Sequence, residues 1–143
     1  MESVKVKEYM NHKPVCFKAH ETVVEAVERF LQSHSTGGPV INDNREVIGF
    51  ISEQDCLKAM LSVTYHSGEV SKSVEELMRT DVLTIKPYDS VLRLAEDMSG
   101  NKPKIYPVVD DDNRLVGSIN RTNVLQALDI HLHSVFEESH GYA

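Results

Sequence analysis

Short apolar runs separated by turn formers set the reading of this chain. Pro14-Val15-Cys16-Phe17 is a brief extended run. Thr22-Val23-Val24-Glu25 follows, a capping-box pattern in which the Thr hydroxyl and the Glu carboxylate satisfy orphan backbone donors. Val23, Val27, Phe30 and Leu31 then fall at helical spacing. Pro39-Val40-Ile41 and Val47-Ile48-Gly49-Phe50-Ile51 flank Asn42-Asp43-Asn44-Arg45, a hairpin turn by composition. A last helix starts beyond Ile51. With a leading helical turn, the order is turn, strand, helix, strand, strand, helix.

The same order then recurs. Residues 6–61 lie over residues 74–129 without a gap, at a shift of 68, and 13 of the 56 pairs are identical. Val6-x-Glu8-x-Met10 meets Val74-x-Glu76-x-Met78, Pro39-Val40 meets Pro107-Val108, and Gly49-x-Ile51 meets Gly117-x-Ile119. The second copy supplies Val82-Leu83-Thr84-Ile85 as its early strand, a helix with Val91, Leu94, Ala95 and Met98, and the turn Asp110-Asp111-Asp112-Asn113. That acidic turn invites a calcium reading, but it lacks the remaining ligands and the Glu of a calcium loop, so a solvated turn is expected. A period of 68 is too long for a solenoid. Each unit instead reads as a small α/β (α+β) βαββα module with a half-exposed apolar face. Two such units are expected to pack sheet to sheet about a pseudo-twofold axis, with helices outside. Clefts then form between the halves, and such clefts suit binding better than catalysis.

Repeat 1 is expected over 1–61, a linker over 62–73, where no period is evident, and repeat 2 with a helical extension over 74–143. In that extension Val124, Leu125, Leu128, Leu132, Val135 and Phe136 continue one apolar stripe past the alignment. The stripe has no counterpart in the first half and needs cover, from the same chain or from a second subunit. His131 and His133 are two apart, so a helix splays them apart, and they read as solvated.

The net charge of −7, from 15 Lys/Arg and 22 Asp/Glu, argues against nucleic-acid binding, which needs a cationic surface. No apolar run approaches the ~20 residues of a membrane span, and the N-terminus lacks a signal-peptide core. Cys16 and Cys56 sit in apolar surroundings and read as reduced thiols of a cytoplasmic protein. The seven histidines match no metal or nucleophile spacing. No phosphate loop of Walker type is present. No catalytic residue and no metal ligand are therefore assigned, and no cofactor is required.

The segment Gly49-Phe50-Ile51-Ser52-Glu53-Gln54-Asp55 allows two readings. Ser52-x-x-Asp55 is a capping box that needs no ligand. The same geometry offers a helix N-terminus and a hydroxyl to a phosphate, and a carboxylate to a ribose diol.

The tandem repeat, the βαββα order, the Pro-Val before a hairpin and the Gly-h-h-Ser/Thr-x-x-Asp pattern (h apolar) together resemble a pair of CBS domains, a Bateman module. The resemblance covers roughly residues 3–130. It implies two clefts that take adenosine-containing ligands, namely AMP, ADP, ATP or S-adenosylmethionine. In the better cleft it implies Ser52 at phosphate and Asp55 at ribose, with Phe50 and Ile51 lining. Val82, Leu83 and Thr84 form the facing wall, adenine lies near Pro107, and Lys104 is the candidate phosphate partner. In the second cleft Asn120 and Asn123 replace Ser/Thr and Asp, beside Arg121, facing Pro14, Val15 and Cys16, with Pro39 near them. An Asn lacks the charge that strengthens such a contact, so this cleft is expected to be empty, weak or altered.

The resemblance implies a regulatory, non-enzymatic sensor of an adenine nucleotide that signals to a separate, unknown effector protein. It also implies a homodimer. The alternative is a ligand-independent dimerisation or scaffolding module.

Overall fold

The computed structural model describes residues 3–65 and 72–139, with side chains over 3–62 and 72–135. A short 3-10 turn, Val6–Glu8, opens the chain. The first half continues with β1 (Phe17–Lys18), α1 (Val23–Ser33), β2 (Gly37–Ile41), β3 (Val47–Ser52) and α2 (Glu53–Tyr65). The second half has α3 (Val74–Leu77), α4 (Val91–Met98), β4 (Ile105–Val109), β5 (Leu115–Asn120) and α5 (Arg121–Ser139). Among the described residues no helix is long and apolar enough to cross a membrane.

Local chemistry sets these elements. The Thr22 hydroxyl accepts from the Glu25 N–H (3.2 Å) and the Glu25 carboxylate accepts from the Thr22 N–H (3.3 Å), so the expected capping box starts α1. In both hairpins an Asx side chain nucleates the turn. Asn42 Oδ1 accepts from the N–H groups of Asn44 and Glu46, and Asp110 Oδ1 from those of Asp112 and Arg114. The turns close through left-handed residues, Arg45 (φ 64°) and Asn113 (φ 63°). The acidic turn is therefore organised around its own backbone.

The sheets match by the shift of 68. β1 runs parallel to β2, and β2 antiparallel to β3, with a register slip between Val40 and Ile41. β4 and β5 repeat that pairing and slip at Val108/Val109. The expected strand at 82–85 is reduced to one parallel bridge, Ile85 to Val108, the counterpart of Phe17 to Val40. The first half likewise keeps only Phe17–Lys18 of its expected early strand. The residues before each bridge form a cleft wall instead.

The halves meet on the pseudo-twofold axis. Glu46 and Arg114 form an antiparallel bridge, flanked by Val47 N–H to Asn113 O (3.0 Å) and Leu115 N–H to Arg45 O (2.8 Å). Ile41, Val47, Val109 and Leu115, two symmetric pairs, bury one another there.

The leading turns are exchanged. Val6, from the first repeat by sequence, is buried in the second core with Val91, Val108 and Ile119. Val74 is buried in the first core with Phe17, Val40 and Ile51. Backbone bonds fix the crossing: Val6 N–H to Asp89 O (2.9 Å) and Val74 N–H to Glu21 O (2.8 Å). Two glycines permit it, because a Cβ on Gly49 would lie 2.5 Å from Met78 Sδ and one on Gly117 2.7 Å from Met10 Sδ.

Two expectations change in the helices. α2 runs to Tyr65, into the expected linker, and residues 66–71 lie outside the described residues. The single stripe of α5 is two faces. Val124 and Ala127 are buried in the second core with Leu128 against it, whereas Leu125, Leu132 and Val135 are exposed, Leu132 by 64%. Adjacent positions 124 and 125 are about 100° apart on a helix, so one face cannot hold both. The Phe136 side chain lies outside the described residues.

Because Val6 and Val74 are fully buried in the partner half, Val6→Ala and Val74→Ala should each lower stability by about 2 kcal/mol. Urea unfolding checks this. A loss below about 0.5 kcal/mol for Val6→Ala would mean that its half closes without the exchanged turn.

Candidate functional site

The exchanged turn leads directly into a cleft. Arg79, the first residue beyond Met78, pairs with Phe50 of β3 through both backbone groups (2.8 and 2.9 Å). The chain from Arg79 to Leu83 then forms one wall. Phe50 and Ser52 of β3 form the floor, and Ile105 and Pro107 of β4 face them. The loop Asn101-Lys102-Pro103 completes a cavity of about 880 Å³.

Five of the expected site residues line this cavity: Phe50, Ser52, Val82, Leu83 and Pro107. Four do not. β3 alternates faces, so Ile51 is 0% exposed and packs in the first core. Thr84 is exposed beyond the wall. Lys104 is also exposed, and its carbonyl accepts from the Arg121 N–H (3.0 Å). Lys102, two residues earlier, lines the cleft instead. Asp55 sits behind Ser52, outside the lining. The sequence reading missed Arg79, Thr80, Asp81, Asn101, Lys102, Pro103 and Ile105. Its one signal for the wall was the aligned glycine pair, Gly49 and Gly117, which marks a close neighbouring backbone.

The capping box at the cleft is closed. The Ser52 hydroxyl donates to Asp55 Oδ2 (2.8 Å) and accepts from the Asp55 N–H (3.2 Å), while the Ser52 N–H donates to the same Oδ2 (3.2 Å). Oδ1 takes part in none of these bonds and remains an acceptor. Cys56, next in the chain, is buried; burial and the charges of Asp55 and Glu53 push its thiol up to about 11, so it stays protonated and inert.

The symmetric region is built differently. Asn120 and Asn123 form the corresponding box, each side-chain oxygen accepting the other's N–H (2.8 and 2.9 Å). A smaller cavity of about 410 Å³ is lined by Asn11, Lys13, Pro14, Val15, Cys16, Arg29, Ser33 and Ser35. Of the residues expected there, Pro14, Val15 and Cys16 line it, while Asn120, Asn123, Arg121 and Pro39 do not. Cys16 is half-buried at this wall and packs against the apolar cluster on the axis.

A half-buried ion pair fixes that wall. Both oxygens of Glu21, which is 6% exposed, meet the guanidinium of Arg29, and Arg29 also donates to the Cys16 carbonyl (2.7 Å). The guanidinium lies 5.1 Å from the Phe17 ring centre. Burial pushes the Glu21 carboxyl up, but the hydrogen bonds from Arg29 and the Lys18 N–H, with the guanidinium's charge, outweigh it and hold the carboxyl below its ordinary value. In the second half Asp89 replaces Glu21 and Asp97 takes the place of Arg29, so the pair has no counterpart.

The family model for the CBS domain matches residues 6–62 and again 74–130. The chain belongs to the CBS domain family. Its two copies form a CBS pair, and solved pairs share the fold. CBSX2 of Arabidopsis thaliana, itself a CBS-pair protein, superimposes with a TM-score of 0.77 at 28% identity, covering 90% of this chain and 97% of that one. A complex of CBSX2 with AMP gives 0.75 at 28% identity, over 89% and 98%. The CBS pair of protein MJ0100, in complex with 5′-methylthioadenosine and S-adenosyl-L-methionine, has the same fold (0.73, 22% identity, 88% and 96%). Among curated proteins, the uncharacterised MJ1232 of Methanocaldococcus jannaschii is 30% identical over 125 residues, 87% of this chain and 38% of that protein. A homoserine O-acetyltransferase of Methanosphaera stadtmanae is 25% identical over 124 residues, 87% of this chain and 24% of the enzyme. The chain thus spans well under half the length of these curated relatives.

Removing Arg29 strands the Glu21 charge. Arg29→Met should cost more than the ~1 kcal/mol of an exposed pair and less than the ~3–5 kcal/mol of a fully buried one. A carboxyl held below its ordinary value of 4.5 contributes stability that is complete above that pH and lost as pH falls through the lowered value. The difference in urea midpoint between wild type and Arg29→Met should therefore shrink below about pH 4.5. An equal difference at pH 7 and pH 3 would assign the effect to packing of the Arg stem.

Proposed function

We propose that this CBS pair is a regulatory module that binds an adenosine-containing ligand (AMP, ADP, ATP or S-adenosylmethionine) in the Ser52/Asp55 cleft. It then signals to a separate effector protein in the cytoplasm. The observation that carries this reading is the cavity between the halves, whose volume lies within the ~300–1,000 Å³ range of small-molecule sites. Ser52 stands on its floor, and Asp55, behind Ser52 and outside the lining, uses only Oδ2 in the capping box. In this reading Oδ1 accepts from the ribose diol, and the apolar wall of Val82, Leu83, Ile105 and Pro107 takes the adenine. The complex of CBSX2 with AMP, similar over nearly all of both chains, supports it.

Thermal unfolding with each of the four ligands tests the proposal. Ligand at about 100 times its dissociation constant should add ~2.7 kcal/mol. Asp55→Ala should weaken binding by roughly 10- to 100-fold, the worth of a charged hydrogen bond, and by more than Asn123→Ala does. The variant's own stability is measured first, because a lost cap costs ~1 kcal/mol. Unmoved melting curves at millimolar ligand would remove the sensor reading, and equal losses in both variants would overturn the ranking of the clefts.

A second reading is ligand-independent scaffolding. It is favoured by the self-satisfied Ser52–Asp55 box and by apolar helix faces left exposed: Leu31 and Leu57 beside the groove between α1 and α2, and Leu125 and Leu132 on α5. Both readings include a homodimer. Covering two such leucines is worth ~3–6 kcal/mol before association costs. Light scattering at micromolar protein should show twice the chain mass, and Leu57→Asp with Leu132→Asp should return it to the monomer. A monomer mass for the unmodified chain would refute the dimer.

A further inference from the structure

Resting on the reading of the cleft as an adenosine site, we infer that it selects phosphorylated over cationic adenosine compounds, through Arg79 and Lys102. The chain carries a net charge of −7, yet the lining of this cavity holds two cations and one carboxylate, Asp81. The cations come from different loops: Arg79 follows α3, and Lys102 lies between α4 and β4. Among the described residues neither forms an ion pair, whereas Lys18, Arg29 and Lys86 do. Arg79 is also anchored, since both of its backbone groups bond to Phe50, two residues before Ser52. Its guanidinium can give two parallel hydrogen bonds to one phosphate, and Lys102 adds a point charge.

The second cavity acts as an internal comparison. Asn11 stands at the position of Arg79, Lys13 at that of Asp81 and His34 at that of Lys102. Its arginine, Arg29, is committed to Glu21 and to the Cys16 carbonyl. Two uncommitted cations on one cavity are thus particular to the first cleft. A phosphate monoester neutralises them. S-adenosylmethionine offers them only its single carboxylate, against the two charges of a phosphate monoester, and brings its ammonium and sulfonium as further positive charges, for a net charge of about +1 where the monoester carries about −2.

Titration calorimetry with adenosine, AMP and S-adenosylmethionine tests this on the intact chain and on Arg79→Gln, Lys102→Gln and the conservative Arg79→Lys. AMP should bind at least about tenfold tighter than adenosine, with S-adenosylmethionine weaker than AMP, and the AMP advantage should fall as salt rises. Each Gln variant should lose about fivefold or more for AMP and leave adenosine unchanged, while Arg79→Lys keeps part of the advantage. Both side chains are exposed, so melting temperatures should not move, and the salt series on the unmodified chain reads the same preference without any variant. If adenosine and AMP bind alike, or S-adenosylmethionine binds as tightly as AMP, the charge selection falls and the adenosine site stands. If none of the three binds, both fall.

Discussion

Neither repeat closes its own core. Val6 fills the core of the second half and Val74 that of the first, each carried across by a turn that the other repeat's glycine admits. The approach of Met78 to Gly49 and of Met10 to Gly117 leaves no room for a Cβ, so backbone contact is the condition for the crossing. The apolar cluster on the axis then has two matched surfaces to join. A single repeat would expose both its core and its half of that cluster, which makes the pair the folding unit.

The same crossing creates the cleft. After Met78 the chain must pass over β3 of the first half to reach Ile85, and the backbone bonds of Arg79 to Phe50 hold it there. Residues 79–83 therefore become a wall without being a strand. A ligand in that space would touch β3 of one half and β4 of the other, so its binding would register the relative position of the halves. Under the proposed function, occupancy would reach an effector through that change of relative position.

The fold was legible because its signals are local and doubled. The capping box of α1, the Asx-initiated hairpins and the alternation in β3 each follow from adjacent residues, and the second copy repeats them. What could not be read depends on contacts between distant segments. Nothing near Val6 tells which core receives it, since either half offers the same apolar environment. Ile51 was placed in the cleft by family pattern, although the alternation of β3 puts it opposite Phe50 and Ser52. The family pattern points to Lys104 by its distance from Pro107, but it is Lys102, two residues earlier in the loop before β4, that lines the cavity. In α5, six apolar residues match a helical period loosely, and only packing divides the five with described side chains into a buried face (Val124, Leu128) and an exposed one (Leu125, Leu132, Val135).

The two clefts share one backbone plan and differ in how their charged side chains are spent. In the second, Arg29 bonds to Glu21 and to the Cys16 carbonyl, so the guanidinium holds the wall rigid and has fewer donors left for a ligand. In the first, the position of Arg29 is Asp97, and among the described residues there is no such strap and Arg79 and Lys102 form no ion pair. The box residues follow the same division: Ser52 and Asp55 leave a carboxylate oxygen unused, while Asn120 and Asn123 form a neutral, mutually capped pair. In the half-buried pair of the second cleft, losing Arg29 would strand the charge of Glu21, so the two groups are tied to each other. A binding cleft needs the opposite, charges held in place by their backbone but left without a partner. Duplication followed by this division leaves one wall braced by an ion pair and, among the described residues, one whose cations have no ion-pair partner.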